Sequence, residues 1–340
     1  MHTMTSRERF MAALNGQSVD RLPVISVCQH ATYDQMEQLN SAWPDAFHDA
    51  KLMAKLASGG QSILGFDAVR VPFCQTHEAE AFGAVLKYGG KLGLPSVDIH
   101  PYHIGDTIDF PADFLSKGRI PALLEAIRIL KRDVGDQVIV MGGIIGAFSI
   151  ASLLFGVTDY LKASFKKPSD LVPYIELCER AGTTLAKAMI EAGADVIVVE
   201  DMVASMDMIS PKIYRTLAWE YEKDQVEALS VPTIIHICGK TDPIIVDIAK
   251  TGCAAISVET TVNIPKALEN LQSEGLTTPL IGGVDPVKTL FTGQPEDVKY
   301  EVRNAIAEGL SMISPGCSVP PATRTANLRA MVDTAKEYQA

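Results

Sequence analysis

Short apolar runs rich in β-branched residues alternate along this chain with longer stretches in which apolar positions recur every three or four residues. The short runs read as buried strands. They are VISV (Val24–Val27), FDAVRVPF (Phe66–Phe73), VIVMGGI (Val138–Ile144), DVIVVED (Asp195–Asp201), VPTIIHICGK (Val231–Lys240), AAISVET (Ala254–Thr260), PLIGGVDP (Pro279–Pro286) and SMISPGC (Ser311–Cys317). Nearly all are apolar on both faces, as parallel strands covered by helices are. The longer stretches predict helices over residues 5–15, 45–57, 119–132, 149–163, 168–192, 211–229, 242–251, 265–273, 295–308 and 322–338. Several stop at a glycine, as at Gly16, Gly193, Gly252 and Gly309.

This rhythm predicts an α/β fold, a (β/α)8 TIM barrel with an N-terminal helical extension. A doubly wound sheet is the alternative, but no G-x-G-x-x-G follows the first strand. Residues 74–118 break the rhythm. Alternating segments at Ala81–Tyr88 and Ser96–Tyr102, separated by Gly89-Gly90, predict a hairpin inserted after the second strand. An insertion there is placed to form a lid or a pocket wall. His77, His100 and His103 fall in it, and singly placed histidines of a polar hairpin are expected to face solvent. No linker or low-complexity segment divides the chain, so residues 1–340 read as one domain.

Composition narrows the function classes. A net charge of −11 without a Lys/Arg cluster argues against nucleic acid as a partner. No apolar run approaches the ~20 residues of a membrane span. The start, MHTMTSRERF, lacks the apolar core of a signal peptide. Both point to a cytoplasmic location. Six dispersed cysteines (Cys28, Cys74, Cys178, Cys238, Cys253, Cys317) fit a reduced compartment with metal or catalytic use better than a disulfide framework.

The run VPTIIHICGK carries the most chemistry. His236 and Cys238 are two apart at the end of a strand, where side chains at i and i+2 point the same way, with Cα atoms roughly 7 Å apart. Alone, H-x-C is equally a buried cysteine beside a hydrogen-bonded histidine. Glu259 and Cys317, each at the end of another predicted strand, shift the balance. At the C-terminal edge of one parallel sheet the four form an N, S, S, O set suited to tetrahedral zinc.

The chain resembles the uroporphyrinogen decarboxylase-like superfamily, and within it the zinc-dependent methylcobamide:coenzyme M methyltransferases. The resemblance covers nearly the whole length. It rests on DRLPV (Asp20–Val24), GFDAVRVPF (Gly65–Phe73), EAEAFG (Glu78–Gly83), GGIIGAFSIAS (Gly142–Ser152), AGADVIVVED (Ala192–Asp201), HICG (His236–Gly239), SVE (Ser257–Glu259), GGVDP (Gly282–Pro286) and SPGC (Ser314–Cys317). The early motifs are superfamily-wide, whereas H-x-C with the late cysteine marks the thiol-methylating branch. The resemblance implies methyl transfer from a methyl-Co(III) cobamide, carried by a small corrinoid protein, to the thiol of coenzyme M in methanogenesis. It implies zinc held by His236, Cys238 and Cys317, with Glu259 exchangeable for the substrate thiol. ATYDQME (Ala31–Glu37) and DAVRVPF (Asp67–Phe73) lean toward the methylamine-pathway enzyme rather than the methanol-pathway one.

Four other residues have two readings each. Arg70 either pairs with the sulfonate of coenzyme M or makes a structural ion pair. Glu200 and Asp201 either orient a ligand or act in proton transfer, or they cap the next helix. Asp285 either hydrogen-bonds His236 or closes a turn. The remaining cysteines, Cys28, Cys74, Cys178 and Cys253, read as small core or near-surface residues. Two rival functions stand beside methyl transfer: a uroporphyrinogen-type decarboxylase, which leaves Cys238 and Cys317 unexplained, and a non-catalytic zinc-binding barrel, in which the metal set is closed.

Overall fold

The computed structural model describes residues 3–90 and 93–338. Its strands are β1 (Ala68–Val71), β2 (Val85–Lys87), β3 (Ser96–Ile99), β4 (Ile139–Ile145), β5 (Val196–Glu200), β6 (Thr233–His236), β7 (Ala255–Ser257), β8 (Leu280–Val284) and β9 (Met312–Pro315). Seven of them form one parallel sheet in the order β1-β4-β5-β6-β7-β8-β9. Helices connect successive strands of this sheet, as parallel pairing requires.

The expected first strand, Val24–Val27, is reduced to a single bridge between Val24 and Ile313. It still closes the barrel. Ile25 N donates to Ile313 O at 2.9 Å, Ile313 N to Pro23 O at 2.9 Å, and Asp67 N to Val24 O at 2.8 Å. The ladder is short because other groups occupy its positions. Pro23 has no N–H to give, Val24 N donates to the Asp67 carboxylate at 2.8 Å, and Val27 N reaches Ser314 Oγ at 3.3 Å. The architecture is therefore an α/β barrel with seven full strands and one vestigial stave.

Two apolar layers hold it together. Inside the barrel, Ile25, Val27, Ala68, Ile139, Met141, Val196, Val198, Ile234, Ala255, Ile281 and Met312 pack with Phe10, Ala13 and Leu14. The helix Ser6–Leu14 thus plugs the end of the barrel where the strands begin, its start fixed by a capping box between Thr5 and Glu8. Outside, the other strand face packs on the helices through residues such as Val69, Val140, Ile144, Ile197, Val199, Ile235 and Ile256.

Several element boundaries differ from the sequence reading. The 45–57 stretch is a 3-10 turn, Asp45–Phe47, then a helix Ala50–Ser62 whose start Asp49 caps through Lys51 N and Leu52 N. The 211–229 stretch is two helices, Pro211–Leu217 and Trp219–Ala228. In the insertion, β2 and β3 form the expected antiparallel hairpin, but a short helix, His77–Ala81, precedes it and buries His77. His103 is exposed as expected, and His100 Nδ1 lies 2.7 Å from Leu153 O.

Candidate metal centre and active site

Strand alternation builds the site. Ala68, Val198, Ile234 and Ala255 face inward, so two residues further on Arg70, Glu200, His236 and Ser257 do so as well. All four are buried and form a polar layer at the C-terminal end of the barrel. The register pairs Glu200 with His236 across β5 and β6, and His236 with Ser257 across β6 and β7. A further two residues along, Cys238 and Glu259 lie just past their strands, in the turns. Cys317 follows β9 in the Pro-Gly-Cys turn, where Gly316 N donates to Val284 O at 2.8 Å.

The structure brings His236, Cys238, Cys317 and Glu259 together. Cys238 Sγ is 3.4 Å from His236 Nε2 and 3.7 Å from Cys317 Sγ. Donor atoms of Cys238, Glu259 and Cys317 lie within 4.8 Å of one another. Glu259 Oε1 accepts from Gly239 N at 2.7 Å, which ties the two turns together. These spacings fit a metal. Zinc–sulfur and zinc–nitrogen bonds of about 2.3 and 2.0 Å put tetrahedral neighbours roughly 3.5–3.8 Å apart.

The two sulfurs are electrostatically unequal. The thiols of Cys238 and then Cys28, with His236 beside them, hold Cys317 well below the ordinary thiol range. Cys238 is pushed well above it, first by its hydrogen bond to Cys317 and then by burial. Burial raises the Glu259 carboxyl, and the Gly239 N–H pulls it part of the way back.

Two participants were missed by the sequence reading. Ser257 Oγ lies 3.0 Å from His236 Nδ1, leaving Nε2 on the side of Cys238. Its place in SVE, two residues before Glu259, is the signal that could have found it. Cys28, assigned to the core, groups with His236 and Cys317 within 4.8 Å. Its signal was its position directly after VISV.

The other candidates have structural partners. Arg70 makes a buried ion pair with Glu200, whose second oxygen accepts from Gln75 Nε2. The GGIIG motif makes room for that pair, since a Cβ on Gly143 would collide with both partners. Asp201 accepts from the backbone and hydroxyl of Ser149, so it caps the helix Ala147–Phe155 rather than the next one. Asp285 closes a turn, accepting from Val287 N and Lys288 N at 2.8 Å each, while Ser257 takes the position beside His236.

A cavity of about 190 Å³ opens beside this layer. Arg70, Gln29, Gln75 and Ser318 line it, and the hairpin supplies Ser96 and Val97 as a wall. Arg70 Nε is buried and has no hydrogen-bond partner among the described residues.

Comparison with known proteins agrees with this geometry. Residues 5–338 match the family model for uroporphyrinogen decarboxylase (URO-D). The methylcobamide:CoM methyltransferase MtaA of Methanosarcina barkeri is 37% identical over 100% of both chains, and MtbA of Methanosarcina acetivorans 38% over 100% of both. A solved methyltransferase from Methanosarcina mazei superposes with a TM-score of 0.93 at 36% identity, covering 98% of this chain and 99% of that one. The chain is therefore an enzyme of the uroporphyrinogen decarboxylase (URO-D) family and belongs to its methylcobamide:CoM methyltransferases.

Proposed function

We propose that this protein moves a methyl group from a methyl-Co(III) corrinoid, presented by a small partner protein, to the thiol of coenzyme M. The observation that carries the reading is the meeting of His236, Cys238, Cys317 and Glu259 at the mouth of the barrel, next to a cavity with a buried arginine. His236, Cys238 and Cys317 would hold a zinc ion, and Glu259 is an oxygen donor in reach of the exchangeable fourth position. When bound, zinc keeps a sulfur ligand in the thiolate form, which is the nucleophilic one. Free thiols with a pKa near ~8.5 are only a few per cent thiolate at pH 7.

The residues around the site do the rest. Ser257 orients the His236 ring. Arg70 offers its unpaired Nε–H to the sulfonate end of coenzyme M, so that Glu200 and the sulfonate share one guanidinium. The hairpin wall limits water around the sulfur. Asp201 and Asp285 hold turns in place and act on the substrate only through them. The thiolate sulfur attacks the methyl carbon, the carbon–sulfur bond forms, and the cobalt–carbon electron pair leaves with Co(I). A donor protein of the methylamine type is the reading that ATYDQME and DAVRVPF favour.

The test is methyl transfer from free methylcobalamin to coenzyme M, followed through the cobalamin spectrum with and without a zinc chelator. Chelator-sensitive demethylation is expected, and Cys238→Ala is expected to lose zinc and activity together. A zinc-loaded protein that leaves both methylcobalamin and the methylated corrinoid proteins unchanged sinks the proposal. Conversion of uroporphyrinogen by zinc-free protein would return the chain to the decarboxylases.

A further inference from the structure

Cys74 reads from the sequence as a small core or near-surface residue, but the fold sets it in the wall of the cavity beside the polar layer. It lies just past β1, at the turn into the helix His77–Ala81. Arg119 Nη1 donates to its sulfur at 3.1 Å, and Thr76 Oγ1 and His77 Nδ1 stand 3.5 and 3.9 Å from it. The guanidinium is itself fixed. Arg119 Nε donates to Glu80 Oε2 at 2.8 Å, Nη2 donates to Thr76 Oγ1 at 2.6 Å, and the Tyr88 ring lies 5.8 Å away. Reactive cysteines stand beside cations where a solute can approach, whereas those sealed among apolar groups are inert. Cys178, fully buried in the helix Val172–Ala192, is of the second kind. Cys74 is shielded from bulk solvent but has its cation, and the cavity is its approach.

The same cavity carries a second, independent sign of a ligand. Arg70 lines it, is 2% exposed, and keeps Nε without a hydrogen-bond partner among the described residues. A buried N–H of that kind calls for an acceptor. Burial works against the Arg70 charge, while Cys28, Cys74 and Cys317 support it. Arg70 is thus near both sulfur centres, the one at the barrel mouth and Cys74, and an anion held on it shares the cavity with the Cys74 side chain.

We propose that Cys74 is a site of reversible thiol–disulfide exchange, taking up a small anionic disulfide whose end group binds at Arg70. The chemical class rests on the reading of coenzyme M as methyl acceptor: the oxidised form of a thiol substrate is its disulfide, and both carry the same sulfonate. In the step, the Cys74 sulfur bonds to one sulfur of the disulfide and the disulfide's own S–S bond breaks. The second sulfur leaves with the electron pair and takes the proton that Cys74 gives up, so no other oxidant or base enters. The adduct occupies Arg70 with its sulfonate and fills part of a cavity of only about 190 Å³, which bars the thiol form. Excess thiol attacks the mixed disulfide and restores Cys74. The enzyme therefore stops when its thiol substrate is oxidised and resumes when it is reduced.

The experiment treats the full chain, supplied with zinc, with the symmetrical disulfide of coenzyme M and maps the adducts by peptide mass spectrometry. One mercaptoethanesulfonate on Cys74 is expected, released again by excess coenzyme M. Methyl transfer from methylcobalamin should fall in proportion to the modified fraction, while Cys74→Ser, scored against its own untreated rate, loses none of it to the disulfide. Bis(2-hydroxyethyl) disulfide, which is neutral, should modify Cys74 roughly 10-fold more slowly, the weight of one hydrogen bond to a charged group. The chain carries a net charge of −11, so a preference for the dianion has to come from the cavity. Absence of an adduct on Cys74, adducts confined to Cys238 and Cys317, equal reaction with the neutral disulfide, or full turnover with Cys74 modified would each overturn the proposal. Mapping does not depend on turnover: a Cys74 adduct on a chain that transfers no methyl group leaves the exchange site standing and removes the methyl-transfer reading. Mapping and release on the wild type decide the matter should the variant fold poorly.

Discussion

In the proposed site His236 can serve as a ligand only if its ring is turned the right way, and Ser257 is the group placed to turn it. The hydrogen bond at 3.0 Å to Nδ1 leaves Nε2 at 3.4 Å from Cys238 Sγ. Ser257→Ala should therefore weaken zinc binding by about 10- to 100-fold, as losses of such supporting groups do, with the fold unchanged. Chelator competition checks this, and an unaltered affinity would show that the ring is oriented by its burial alone. His236, Cys238, Glu259 and Cys317 could be picked out beforehand because strand spacing is local: i and i+2 share a side. Ser257 escaped because a serine in a strand has many ordinary uses. Cys28 escaped because its significance comes from Cys317, 289 positions away in the chain.

At the level of elements, the caps were legible and the breaks were not. The helix Val172–Ala192 ends at Gly193, whose φ of +115° no L side chain adopts comfortably. Gly193→Ala should cost about 1–2 kcal/mol for the left-handed backbone. The check is a lower denaturation midpoint with an unchanged denaturant slope; an unshifted midpoint would mean that the turn relaxes. The predicted helix over 211–229 runs as two because Ala218 leaves the helical backbone, with φ −123° and ψ −51°. Nothing in its local sequence marks that break. Trp219 Nε1 donates to Asp247 O at 2.6 Å, a contact from a neighbouring unit of the barrel. Tertiary partners outweigh periodicity where the two disagree.

On the scale of the whole molecule, closure of the barrel rests on a charge cluster as well as on the sheet. Arg9 bridges Asp20 at 2.6 Å and Asp67 at 2.7 Å, and Arg21 reaches Asp67 at 2.8 Å. Asp67 in turn accepts from Val24 N in the vestigial stave. This explains the DRLPV motif: its Asp and Arg tie the plugging helix and the closing segment to β1. The hydrogen bond from Arg9 lowers the Asp20 carboxyl from 3.8 to about 2. A depressed carboxyl stabilises the fold above its unfolded pKa and loses that contribution as pH falls through the folded one. The window for Asp20 is thus 3.8 down to about 2, and the contribution, discounted for the solvent that screens the pair, about 1 kcal/mol. Asp20→Asn should remove that much at neutral pH and flatten the acid side of a stability–pH curve. A curve with its acid slope intact would show that another group controls it.

The sequence by itself determined the barrel class, the strand-by-strand order, the inserted hairpin and the four residues that meet at the mouth. All of these follow from local periodicity and from side-chain direction along a strand. Only the tertiary structure decided that the first stave shrinks to one bridge, that Ser257 rather than Asp285 stands beside His236, and that Cys28 joins Cys317. Each of those depends on which distant segments share space once the sheet closes on itself, and closure is a property of the whole ring of strands that no single stretch of chain encodes.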